Sequence, residues 1–244
     1  MERPLYMFVD ESGTDNTSGV LLLTVVVTEQ PERARKIIGQ YLDRVKRDPE
    51  QKHLSGVAKA VSLHYTSDHI EIKTRFIESI LPGLEFDAYV SFIRKSEAGA
   101  VNDTVDLISR ALNVLVLNRI QENHYREIHL IYEDPGESQL KRAIQQTTDQ
   151  IINRVAQEKV GKKPRVQVGF ADKSELGLAI PDYVSGIVRG YLQARGIEQI
   201  SDGDKAMADT LERNYKRLVG KIRVLNDYTR KQFYTRQTSM LIDY

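Results

Sequence analysis

Beyond residue 103, strand-like and helix-like stretches alternate, and that alternation restricts the fold more than any other feature of the chain. Apolar residues at helical spacing over 103–122 lead into a strand, REIHLIYED (126–134). A helical stretch over 138–158, a strand RVQVGFADK (165–173) and a helix over 176–194 follow. Strands joined through helices cannot pair as hairpins, so this half of the sheet must be parallel. The first half differs. PLYMFVD (4–10) and GVLLLTVVVTE (19–29) read as strands joined by ESGTDNTSG, a run of turn-forming residues. A helix over 32–47 and a second over 67–80, closed by Pro82-Gly83, stand before a third strand, EFDAYVSFIRK (85–95).

A short meander followed by β-α-β-α-β-α is the element order of ribonuclease H-like folds. The expected architecture is therefore α/β, a mixed sheet with flanking helices and a helical insertion after the second strand. No repeat, low-complexity tract or linker divides the chain, so residues 1–200 read as one domain. Residues 201–244 read as a basic helical C-terminal extension packed on the same domain, one long helix with an irregular end. From Arg213 to Arg236 that extension carries eight basic residues against one acid, Asp227.

Composition narrows the chemistry. With no cysteine among 244 residues, any metal must sit on oxygen or imidazole, and a reducing, cytoplasmic setting is the expectation. The opening MERPLYMFVDESG has no leader pattern, and the apolar run Val20 to Val27 is far short of the roughly 20 residues a membrane span needs. Neither GxxxxGK[ST] nor GxGxxG occurs, so nucleotide triphosphate and dinucleotide chemistry lack support. The net charge of +1 does not decide for or against a polyanionic partner.

Three acidic positions stand out. Asp10 ends the first strand, Glu133 and Asp134 end the strand after the first crossover helix, and Asp182 interrupts the apolar stretch LAIPDYVSGIV. If the first and fourth strands are neighbours, their acidic ends lie side by side, and a helix packed across them brings Asp182 to the same point. Converging carboxylates repel, so such a cluster needs cations, and hard oxygen donors favour Mg²⁺ or Mn²⁺. Two ions roughly 4 Å apart serve in-line phosphodiester hydrolysis. Taken singly, each acid is equally well a surface group or a helix cap.

At these residues the chain resembles domain-of-unknown-function family 3800, of the ribonuclease H-like superfamily. The segments concerned are YMFVDESGTD (6–15), SLHYTSD (62–68), IHLIYEDPGES (128–138) and KSELGLAIPDYVSGIVRG (173–190). The resemblance implies a metal-dependent nuclease with Asp10, Glu133 or Asp134, and Asp182 as ligands of two Mg²⁺ or Mn²⁺ ions. It places His64 and Ser174 nearby. The sequence departs from the family at Ser62, where an acid is usual, and at Ala179-Ile180-Pro181-Asp182, where Gln-x-Ala-Asp is usual. Pro181 would begin or kink its helix.

Weaker signals complete the list. His64 or Lys173 is expected to assist catalysis, by proton transfer or a phosphate contact. In the extension, Lys216, Arg217, Lys221, Arg223, Arg230 and Lys231 are candidates for gripping a nucleic acid backbone, with Tyr215, Tyr228, Phe233 and Tyr234 for base stacking. The leading expectation is a nuclease of RNA or DNA, RNA slightly preferred; such a small nuclease would suit conflict between bacteria and phage, though no residue shows it. The alternatives are a nucleic-acid-binding module without turnover, and an interaction protein whose tail helix forms a homodimer seam.

Overall fold

The computed structural model describes residues 4–15, 18–48, 62–95, 103–122, 127–158, 164–194, 196, 205–218 and 220–226. Six strands form one sheet: β1 (Leu5–Ser12), β2 (Val20–Thr28), β3 (Asp87–Arg94), β4 (Glu127–Glu133), β5 (Arg165–Ala171) and β6 (Ile222–Asn226), in the order β5-β4-β1-β2-β3-β6. β1, β2 and β3 are antiparallel neighbours, whereas β4 pairs parallel with β1, and β5 parallel with β4. This mixed sheet with flanking helices is the ribonuclease H-like architecture expected from the element order.

Helices cover both faces. α1 (Pro31–Arg47), α2 (Ile70–Arg75), α5 (Ala179–Ala194) and α6 (Lys205–Leu218) close one core with Phe8, Leu22, Val26 and Val90. α3 (Thr104–Glu122) and α4 (Ser138–Glu158) close the other with Met7, Val9, Leu23 and Leu130. β2 is central and covered on both sides, which is why it reads as a continuous apolar run rather than an alternation. Thr24, the polar interruption in that run, bonds Ser185 Oγ of α5 at 2.7 Å.

Two elements depart from the sequence reading. The helix expected over 67–80 is α-helical only as α2; it widens into a π turn (Phe76–Ile80) that buries Phe76 and Ile77, then tightens at Leu81–Gly83. The extension is not one long helix. α6 ends at Leu218, Lys221 N closes a turn on Leu218 O, and β6 joins the sheet edge parallel to β3. Gly220 lies within that turn, and the β-branched Ile222 and Val224 bury one face of the new strand. None of the described helices is long and apolar enough to cross a membrane.

Candidate active site

The parallel register of β1 and β4 pairs Val9 with Tyr132, so the next residues along, Asp10 and Glu133, lie side by side at the strand ends. Both follow residues of the α5 face, since Phe8 and Ile131, two positions earlier, pack in that core. α5 supplies the third acid. Its Pro181 sits in the first turn, where a missing N–H costs no hydrogen bond, so the helix begins there rather than kinking. Asp182 follows in the same turn with its side chain only 12% exposed.

Asp10 is buried. Its carboxyl is pushed well above the ordinary range, chiefly by burial and then by the charges of Asp182, Glu133 and Glu11, with Lys173 opposing them. Glu11, one residue on, is raised to about 7 by burial and by Glu133. Lys173, from the turn after β5, places Nζ 3.1 Å from Glu133 Oε1 and 3.9 Å from Asp182 Oδ2. The other Glu133 oxygen, Oε2, is buried without a hydrogen-bond partner among the described residues. One ammonium thus stands against two of the acids and opposes the charge of two more, Asp10 and Glu11. A buried excess of negative charge with an orphaned oxygen is what a divalent cation would relieve.

No three of the described Asp, Glu and His residues close on a common point with metal-ligand geometry, and Lys173 bridges two of the acids instead. The donor chemistry nonetheless fits a hard cation: Asp10, Glu133 and Asp182 offer oxygen only.

Asp134 is turned the other way, as its place one residue along the chain requires. Its carboxylate accepts from Lys141 Nζ at 2.5 Å and from Gly136 N at 3.1 Å, and these bonds, Lys141 first, hold its pKa low. Of the pair Glu133 and Asp134, the structure therefore brings Glu133 to Asp10.

His64 joins the site through Asp182. Its Nδ1 lies 3.2 Å from Asp182 Oδ2, and Thr66 N approaches the same nitrogen at 3.3 Å. Protonated, Nδ1 donates to Asp182; unprotonated, it accepts from Thr66. Tyr65 N also donates to Asp182 Oδ2, at 2.8 Å. Asp68 holds this turn: its Oδ2 accepts from His64 N at 2.8 Å and from the Tyr183 hydroxyl. Burial raises the Asp68 carboxyl, against those two bonds. Tyr65 and Tyr183 were not singled out in the sequence. The four-residue spacing of His64 and Asp68, one helical turn, was the available signal.

Other candidates are engaged elsewhere. Ser174 bonds Asp172 within its own turn. Two histidines outside that list are also engaged: His69 caps α2 through Glu71 N, and His129 stacks on Tyr6 at 4.5 Å. Lys216 pairs with Glu212 at 2.9 Å, and Arg217 donates to Glu78 O at 3.3 Å. Lys221 Nζ donates to Pro82 O and Leu84 O, and Arg223 lies 3.5 Å from Asp87 and over the Tyr89 ring. Arg217, Lys221 and Arg223 fasten α6 and β6 to the rest of the fold, whereas the Lys216 pair lies within α6. Tyr215 is buried against Tyr191, ring centroids 4.1 Å apart, and is not available for stacking on a base. Arg230, Lys231, Tyr228, Phe233 and Tyr234 lie outside the described residues.

No family model matches the chain, and no curated protein does. Among solved structures, the chain is similar to one from the PCNA:RNase HII complex of Archaeoglobus fulgidus: 13% identity, TM-score 0.46, covering 87% of this chain and 89% of that one. It is also similar to the ribonuclease H2 of Pyrococcus horikoshii OT3: 14% identity, TM-score 0.38, covering 98% and 95%. Likeness this distant carries no chemistry across; the side chains must supply it.

Proposed function

We propose that the chain is a nuclease that hydrolyses nucleic acid phosphodiester bonds with Mg²⁺ or Mn²⁺ held by Asp10, Glu133 and Asp182. The observation that carries this reading is the buried Asp10 carboxyl, pressed by three other acids and relieved by a single ammonium. Bound divalent ions at such a cluster supply an activated water and stabilise the leaving oxygen.

The protein's own groups would do the rest. Lys173, between Glu133 and Asp182, neutralises part of the excess charge and is placed to meet a phosphate oxygen. His64 holds or releases a proton at Nδ1, within reach of Asp182, and so is positioned to protonate a leaving oxygen. Asp68 and Tyr183 fix the turn that carries it. The segments that resemble family 3800 supply these acids and the histidine, which supports membership of that family. RNA is slightly preferred over DNA as the substrate, on that resemblance alone.

One observation favours a second reading, a binding module without turnover: Lys173 already serves as counter-ion to two of the acids. Cleavage of end-labelled single- and double-stranded RNA and DNA with Mn²⁺, Mg²⁺ or EDTA separates the two. Metal-dependent cutting that is lost in Asp10→Asn supports the nuclease. Intact binding with no cutting of any substrate would replace it with the binding module.

A further inference from the structure

Beside Asp182 lies a cleft of about 310 Å³ that the chemistry above does not use, lined by Ser12, Ser18, Tyr65, Lys73, Asp182 and Arg189 among others. Two glycines shape it. Gly13, at φ 79°, leaves room for Arg189: a Cβ there would stand 2.5 Å from Nη2. The guanidinium can then donate to Ser12 Oγ at 3.3 Å and Val20 O at 3.2 Å. Gly186 plays the same part on α5, where a Cβ would stand 2.5 Å from the Tyr65 ring. That ring forms a wall of the cleft while the Tyr65 N–H holds Asp182. Lys73 Nζ lies over the ring at 4.8 Å and has no ion-pair partner among the described residues. The acid opposite, Asp15, is occupied by its own turn, accepting from Ser18 N and Ser18 Oγ, both at 2.8 Å.

We infer that this cleft is a phosphate subsite, in which Lys73 and Arg189 hold the phosphodiester next to the one being cut. The inference rests on the nuclease reading and adds the path of the substrate strand: out from Asp182, between the DESG turn and α2. Arg189 held beside the Ser12 hydroxyl and Lys73 over the Tyr65 ring, in a cleft that Asp182 also lines, match the oxygens of one further phosphate. Lys73 is a simple point charge for that group, whereas Arg189 is held in orientation by the DESG turn.

Lys73→Gln tests it, because Lys73 is on the surface of a short helix and touches none of the acids. Binding of a labelled single-stranded RNA or DNA oligonucleotide is measured by anisotropy against salt, with Mn²⁺ present, in Asp10→Asn and in Asp10→Asn/Lys73→Gln. The subsite predicts weaker binding of every sequence alike, and a plot of log affinity against log salt shallower by about 0.7–0.9. It also predicts a lower kcat/KM for Lys73→Gln alone, at unchanged melting temperature. Cutting and salt slope both unaltered by Lys73→Gln would overturn the subsite and leave the nuclease standing. A wild type that neither binds nor cuts nucleic acid would overturn the nuclease reading and the subsite with it.

Discussion

Lys173 Nζ lies 3.1 Å from Glu133 Oε1, and its charge opposes the acids gathered at Asp10. Lys173→Met leaves those acids without that ammonium. The metal-free protein should then lose about 1–3 kcal/mol, less than for a fully buried pair because the side chain is 30% exposed. For a chain of this length that is a fall in melting temperature of roughly 2–12 °C. Saturating Mn²⁺ should restore part of it. An unchanged melting temperature without metal would mean that Lys173 does not hold the cluster together.

The strand ends that carry the cluster were visible in the sequence, because an apolar strand closing on an acid marks Asp10 and Glu133/Asp134 without any tertiary information. The choice between Glu133 and Asp134 was not. It depends on which face of β4 meets α5, and neighbouring strand residues face opposite ways. Tyr65 and Arg189 were hidden for a different reason: their partners are Asp182 and Ser12, more than one hundred positions away. The end of α6 was misread because Ile222, Val224 and Leu225 also suit helical spacing. Only pairing with β3 makes them a strand.

Asp10→Asn removes a buried carboxyl that must take up a proton as the chain folds among its acidic neighbours, so it should stabilise the metal-free protein at neutral pH while abolishing its response to metal. In the wild type, Mn²⁺ at about 100 times its dissociation constant adds roughly 2.7 kcal/mol, raising the melting temperature by roughly 5–10 °C. Thermal melts of both proteins with Mn²⁺ and with EDTA check this. A variant less stable than wild type in EDTA, or still stabilised by Mn²⁺, would contradict the assignment of Asp10.

The same carboxyls set a pH dependence with a definite sign. Folded Glu11 keeps its proton up to about 7, whereas the ordinary value is 4.5, so between these values folding takes up a proton. Stability from this group is fully present below 4.5 and is lost as pH rises through 7, and Asp10 adds to the trend. The shift is equivalent to about 3 kcal/mol for a fully buried acid, and less here because water reaches part of the side chain. In EDTA, denaturant midpoints should therefore fall from pH 5 to pH 8, and Glu11→Gln should flatten the fall. A wild-type midpoint that rises over this range would contradict the burial of these acids.

Glu133 and Asp134 differ in consequence. Glu133→Gln should lower metal-dependent cutting by more than about 100-fold, since even outer partners of metal ligands are worth 10–100-fold. Asp134→Asn loses only its surface bonds to Lys141 and Gly136, and should cut at close to the wild-type rate. Rates on one labelled substrate decide it. The reverse order would put Asp134 at the metal.

The most direct measurement is the anomalous scattering of Mn²⁺ soaked into crystals of the protein. The proposed site predicts manganese density between Asp10, Glu133 and Asp182, with Glu133 Oε2 among its ligands and Lys173 displaced from between the acids. Density confined to other sites, or none here at a concentration that saturates the thermal shift, would contradict it.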